Sequence, residues 1–265
     1  MWTQLTVRIA ALALGLALAL SPGLGVADDD PWPGLQADAF DARPMTTNSG
    51  VVGLDAPYRA EDAAIVPMTI TLKPAAAPVR KVTVVIDRNP APVAAVFTLG
   101  EKSGISRIST RFRVNSYTRV HVVAETSDGR LHVTERFVKA SGGCSAPAGK
   151  DPAEAKANMG KMKLRQFAMP DGRRELQLML RHPQHSGFQM DQITHYYTPA
   201  MFVRQLTIRQ GGALMLSVEG GISLSEDPNI RFDFTPNGAD KFTVEAVDTD
   251  EHHFTGEFPV ETVSQ

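Results

Sequence analysis

The chain has 265 residues, 43% hydrophobic and 21% charged, enough apolar side chain to fill one large core or two small ones. Its formal charge is −2, with 14 basic and 13 acidic residues over 28–141 and 9 basic and 14 acidic over 163–265, so neither half is basic enough to suggest nucleic acid as a partner. The single cysteine, Cys144, excludes an internal disulfide. Its thiol must be buried and inert, paired with another molecule, or kept free for chemistry.

The chain opens with a leader pattern. Arg8 supplies a positive start, Ile9 to Leu20 is almost unbroken apolar sequence, and Ser21-Pro22-Gly23 interrupts it. Gly25-Val26-Ala27 places small residues where a signal peptidase reads, so residues 1–27 are expected to form a secretory signal peptide cleaved after Ala27. The apolar run is shorter than the ~20 residues a spanning helix needs. No cysteine follows the cleavage site to carry a lipid anchor, and no later segment is long and apolar enough to insert in a membrane.

The first domain is expected over 28–141. Trp32, Leu35, Ala39 and Phe40 recur at helical spacing and predict a short opening helix. Asn48-Ser49-Gly50 reads as a turn. Strands then follow at Ile65–Leu72, Lys81–Ile86, Val93–Leu99, Ile105–Val114 and Thr118–Thr126. Pro67 belongs at a strand start or edge. Asp128-Gly129 is a two-residue hairpin signal before a returning strand, Arg130–Val138. Short strands separated by regular turns predict an antiparallel β-sandwich of about 100 residues.

Residues 142–162 change in character. Ser141 to Gly149 (SGGCSAPAG) carries no large apolar side chain, and DPAEAKAN, from Asp151 to Asn158, predicts a short solvated helix with Asp151 as N-cap and Pro152 at its first position. Strands resume over 163–265, at Lys163–Phe167, Glu175–Arg181, Met201–Arg209, Ala213–Glu219, Asn229–Thr235, Lys241–Val247 and His253–Val260. Gly211-Gly212 serves as a hairpin turn, and Ile230, Phe232 and Phe234 share one face. The fold class expected is all-β: two tandem antiparallel sandwiches joined by a flexible, cysteine-bearing linker.

Cys144 is the strongest candidate for chemistry. Gly142 and Gly143 beside it widen backbone freedom, and nothing apolar in the local sequence could bury the sulfur. Five extended residues after Lys139 would carry the thiol ~17 Å from the sandwich. An exposed lone thiol is a liability outside the cell, which disfavours accident. No histidine lies in the segment, and Lys139 and Lys150 are weak activators, so a self-contained cysteine hydrolase is disfavoured and a carrier is favoured. His182, His185, His195 and His252-His253, with Met179, Met190 and Met201, lack compact metal-binding spacing, and His182 to Gly187 reads as a loop. Phosphate loops, Cys-x-x-Cys pairs and nucleophile elbows are absent from the sequence. No catalytic residue, metal or cofactor is expected.

Two sets of motifs carry a resemblance. Arg59 to Pro67 (RAEDAAIVP), Asp87 to Pro92 (DRNPAP) and Gly142-Gly143-Cys144 resemble the SoxY sulfur carrier of thiosulfate oxidation. Arg181 to Gly187 (RHPQHSG), Phe202-Val203 and Asp227 to Phe232 (DPNIRF) resemble its partner SoxZ. Their order resembles the fused SoxYZ-like carriers associated with quinoprotein dehydrogenases. The resemblance implies immunoglobulin-like sandwiches, a periplasmic location, Cys144 as the covalent attachment site for sulfur intermediates, and Gly142 and Gly143 as the hinge of a swinging arm. It implies partners among periplasmic sulfur-oxidation enzymes such as c-type cytochromes, or a quinoprotein dehydrogenase. The alternative is a non-catalytic accessory or assembly protein that binds such a dehydrogenase. One departure is that the arm is internal here: Ser145-Ala146-Pro147 follows Cys144, where the separate SoxY chain ends in a second glycine pair.

Overall fold

A computed structural model of the protein describes residues 30–191 and 194–261, and the expected signal peptide lies outside the described residues. The first half contains α1 (Trp32–Phe40), β1 (Met45–Thr47), β2 (Val52–Asp55), β3 (Val66–Leu72), β4 (Val79–Ile86), β5 (Val93–Leu99), β6 (Arg107–Phe112), β7 (Thr118–Thr126) and β8 (Leu131–Val138). The second contains α2 (Pro152–Asn158), β9 (Met162–Ala168), β10 (Arg174–Leu180), β11 (Val203–Gln210), β12 (Ala213–Gly220), β13 (Asn229–Phe234), β14 (Lys241–Asp248) and β15 (His253–Pro259). The all-β expectation holds, and the Asp128-Gly129 and Gly211-Gly212 turns each join two neighbouring antiparallel strands. Strands β1 and β2, on either side of Asn48-Ser49-Gly50, had no clear alternation to announce them.

The strands form two sheets, and each sheet runs through both halves. The order of the larger is β1-β8-β7-β4-β5-β12-β11-β14-β15, and that of the smaller is β2-β3-β6-β13-β10-β9. The halves meet where β5 pairs antiparallel with β12, from Leu99↔Leu216 to Ala95↔Gly220, and where β6 pairs with β13 at Ser109↔Arg231 and Ile108↔Phe232. Two sandwiches placed in series would each leave strand edges with unpaired N–H and C=O groups. Here those edges satisfy one another, and one apolar core runs across the seam from Val52 and Ile70 through Phe97 and Phe112 to Phe232 and Phe242.

Burial follows the strand period of two. In β3 Val66, Met68, Ile70 and Leu72 point inward. Pro67 sits where β2 no longer reaches, since β2 pairs only with Thr69 to Leu72, so its missing N–H breaks no ladder on that side. β4 is buried on both faces: Val82, Val84 and Ile86 enter the main core, while Val85 packs with Val123, Leu131, Val133 and Phe40 beneath α1. α2 follows the expected cap, with Asp151 Oδ1 accepting from the N–H of Ala153 at 2.9 Å and of Glu154 at 3.1 Å, and it buries no side chain.

Candidate functional site

The cysteine arm does not stand free. Cys144 is fully buried, which corrects the expectation of an exposed thiol. The groups that cover it are distant in sequence, which is why its neighbours in the chain gave no sign of them. Gly142 N–H donates to the Asn115 carbonyl at 2.9 Å, and Gly143 N–H to the Val114 carbonyl at 3.1 Å. Ser186 Oγ donates to the Cys144 carbonyl, and Gln189 Nε2 to the Ala146 carbonyl at 3.0 Å. The first half therefore holds the arm before the cysteine, and the loop 182–190 of the second half covers it from the other side.

The two glycines have different duties in this arrangement. Gly142 has φ +77°, a conformation that residues with a Cβ adopt at a cost. Gly143 permits close approach: a Cβ there would run into the carbonyl oxygens of Ala63 and Val114.

Arg113 lies beneath the arm and is 1% exposed. Its Nη1 donates to the Gly143 carbonyl at 3.1 Å and its Nη2 to the Gln184 carbonyl at 3.4 Å, so one guanidinium ties the arm to the covering loop. Burial pushes the Cys144 thiol up to about 11, against a smaller pull downward from the Arg113 charge. Burial likewise holds Arg113 below the usual guanidinium range. A thiol in this setting stays protonated and unreactive at neutral pH.

The motifs singled out in the sequence converge here. Asn89, of the DRNPAP motif, donates through Nδ2 to the Arg113 carbonyl at 2.7 Å and to Ser223 Oγ at 2.9 Å, and its Oδ1 accepts from the Asn115 N–H at 2.8 Å. Ala63, of RAEDAAIVP, accepts from the Val114 N–H at 2.8 Å, and Ala64 accepts from Ser225 Oγ at 2.7 Å. Asp227, of DPNIRF, pairs with Lys150 and Arg181 and accepts from the His182 N–H at 3.0 Å. His182 and Gln184 hold the covering loop in place. His182 Nδ1 accepts from the Gln184 N–H at 3.1 Å, so the Nε2 proton faces Asp248 at 3.3 Å, and burial keeps the ring's pKa low. Gln184 Oε1 accepts from the Val203 N–H at 2.7 Å. Burial alone would raise the Asp248 carboxyl, but hydrogen bonds from His252 and His182 outweigh it and leave it below the usual range.

A cleft of about 650 Å³ opens beside the arm, with Arg111 and Arg113 from the first half, Pro147 and Lys150 from the arm, and Arg181 and Asp227 from the second. Among the described residues no cluster of His, Cys, Asp and Glu is placed to hold a metal ion, and His182, His185, His195 and His252-His253 do not form one. No helix among the described residues is long and apolar enough to cross a membrane. Sequence reasoning missed Arg113, Gln184 and Ser186 as arm contacts; the RHPQHSG motif contained two of them, but nothing linked it to Cys144.

Fold and site together define a double β-sandwich with a thiol-bearing arm docked at its seam. Residues 36–144 match the family of sulfur oxidation protein SoxY, and residues 162–259 match that of sulphur oxidation protein SoxZ. The chain belongs to the SoxYZ-like carriers of sulfur oxidation, with both domains fused in one polypeptide. Among solved structures, the sulfur carrier protein SoxY from Chlorobium limicola f thiosulfatophilum is similar over 42% of this chain and 91% of that one, with 22% identity and a TM-score of 0.34. A beta-glycosidase from Bacteroides vulgatus overlaps 82% of this chain and 25% of its own, with 9% identity and a TM-score of 0.23. At those scores the overlaps add nothing to the two family matches. No curated protein matches the chain.

Proposed function

We propose that the protein is a periplasmic carrier that binds sulfur intermediates covalently on Cys144 and presents them to partner oxidising enzymes, without catalysing a reaction itself. The observation that carries this reading is the end point of the SoxY match: it closes at residue 144, the only cysteine of the chain. Loading joins the Cys144 sulfur to a sulfur of the cargo. The thiol proton leaves, and the electron pair passes either to an oxidising partner such as a c-type cytochrome or to a departing thiolate. The arm alternates between the docked state and an extended one, with Gly142 and Gly143 as the hinge. A tether of this kind raises the effective concentration of the cargo at a docked enzyme. Phe188, Tyr196 and Tyr197 stand exposed on the loop region that covers the arm, a surface suited to a partner. Export through the N-terminal leader belongs to the same reading.

The burial of Cys144 favours a second reading, an accessory protein that binds a quinoprotein dehydrogenase and whose thiol is incidental. One comparison separates the two. Intact mass of protein recovered from its own compartment shows a sulfur adduct for a carrier, and Cys144→Ala removes both the adduct and pathway activity. Full pathway activity in Cys144→Ala leaves the accessory reading in its place.

A further inference from the structure

Arg113 is a buried cation without an anion. Among the described residues no carboxylate forms an ion pair with it. Besides the Cys144 thiol, the acidic groups in electrostatic reach are the carboxylates of Glu226 and Asp62. Both are occupied: Glu226 accepts from the Gly149 N–H at 2.8 Å and pairs with Lys150 at 3.7 Å, and Asp62 Oδ1 accepts from the Ala64 N–H at 2.7 Å. Two carbonyl oxygens take up Nη1 and Nη2, while the Arg113 Nε–H has no acceptor. Gln184, fully buried and bonded to Arg113 through its carbonyl, also leaves its Nε2 donor without an acceptor. Leaving a buried charge uncompensated is costly, and so is each unmet buried donor. The Cys144 thiol lies in electrostatic reach of the same guanidinium, which also lines the cleft beside the arm.

We propose that Arg113, with Gln184 beside it, recognises the cargo in the docked arm: the guanidinium receives the anionic end of a sulfur adduct on Cys144, so that the docked state favours adducts ending in a sulfonate over uncharged ones of similar size. The inference rests on Cys144 being the attachment point. The docked arm then acts as a selective store, because an anionic adduct supplies the counter-charge that this buried arginine lacks, whereas a neutral adduct supplies none. Charge-assisted hydrogen bonds of this kind are stronger than neutral ones, and they gain further in a site shielded from water.

The test compares two adducts on the full chain. With tetrathionate, the Cys144 thiolate attacks one of the two central sulfurs, the bond between them breaks, thiosulfate departs with the electron pair, and Cys–S–S–SO3⁻ remains. With methyl methanethiosulfonate, methanesulfinate departs with the pair and the neutral Cys–S–S–CH3 remains. Intact mass verifies each product. The expected result is that the anionic adduct unfolds at least ~2–4 °C above the neutral one, the shift that a modest added interaction gives a chain of this size. The Arg113 Nε–H resonance in a nitrogen-15 spectrum is expected to move on anionic loading and to stay in place on neutral loading. In Arg113→Gln the difference between adducts is expected to vanish. If that variant does not fold, the wild-type resonance decides the matter by itself. Equal midpoints, or a lower one for the anionic adduct, overturn the role of Arg113, as does a difference that persists in Arg113→Gln. Such a result leaves the carrier reading standing if native adducts are found on Cys144; absence of native adducts with an intact charge preference removes the carrier reading instead.

Discussion

The guanidinium of Arg113 donates to the carbonyl of Gly143 at 3.1 Å, one residue before the cysteine and thirty residues away in sequence. This bond fastens the cysteine-bearing arm to the first sandwich, and the same side chain reaches the Gln184 carbonyl of the second. The arm is therefore seated against both halves, and under the proposed carrier function reactivity at Cys144 would require it to leave that seat.

The buried thiol makes stability depend on pH. Burial raises the Cys144 pKa in the folded protein to about 11, against about 8.5 for a free thiol. Between those values the unfolded chain has released a proton that the folded chain retains, so stability falls as pH rises. The contribution is complete below pH ~8.5 and is lost progressively towards pH ~11, amounting to roughly 3 kcal/mol. Urea unfolding at pH 8 and at pH 10.5 should show the loss in the wild type and a smaller slope in Cys144→Ala. Iodoacetamide should alkylate the folded protein far more slowly at pH 8 than the urea-unfolded chain.

Gly143→Ala should unseat the arm. The new Cβ meets the backbone oxygens of Ala63 and Val114, which cannot move aside as a side chain end can. The expected outcome is a tenfold or greater rise in the rate at which an aromatic disulfide reagent modifies Cys144, about 1.4 kcal/mol in the docking equilibrium. Gly142→Ala, where the strain comes from φ +77° rather than a clash, should cost only ~1 kcal/mol and raise the rate less. Equal, unchanged rates in both variants would show that docking does not limit access.

Asp248 supports the covering loop from beneath. Its Oδ2 faces His252 Nδ1 at 2.8 Å and His182 Nε2 at 3.3 Å, and its Oδ1 accepts from the N–H groups of Asp250 and His252, each at 2.9 Å. Asp248→Ala strands the buried His182 Nε2 donor and removes the acceptor of the part-buried Asp250 and His252 groups, and should destabilise the protein by ~3 kcal/mol in urea unfolding. Because His182 leads into the loop that holds the Cys144 carbonyl, the same variant should also speed thiol modification under native conditions.

Cutting the chain between the halves should not separate them. A protease site inserted after Lys150 and then cleaved leaves the β5–β12 and β6–β13 pairings and the shared core intact. The cleaved protein should elute from gel filtration as a single species of the uncut mass and unfold in one transition. Two independent transitions would contradict a core shared across the seam.

Much of the architecture could be read from local pattern, because a strand's period of two and a turn's glycine are written over a few adjacent residues. Asn229 to Phe234 alternates so strictly that its buried face was evident, and Asp128-Gly129 marked its hairpin. The all-β class, the capped helix after Asp151 and the singular position of Cys144 all followed from sequence. Local pattern could not show that β5 and β12 would join two sandwiches into continuous sheets, since edge pairing depends on which edges meet in space. Nor could it show the burial of Cys144. The side chains next to that residue in the chain are small, and the groups that hold the arm at Gly143 and Cys144, from Ala63, Arg113, Val114 and Ser186, are contributed by segments about 30 to 80 residues away. Composition near a residue describes its neighbours in the chain; whether a thiol meets water is decided by neighbours in space, and only the tertiary structure assembles those.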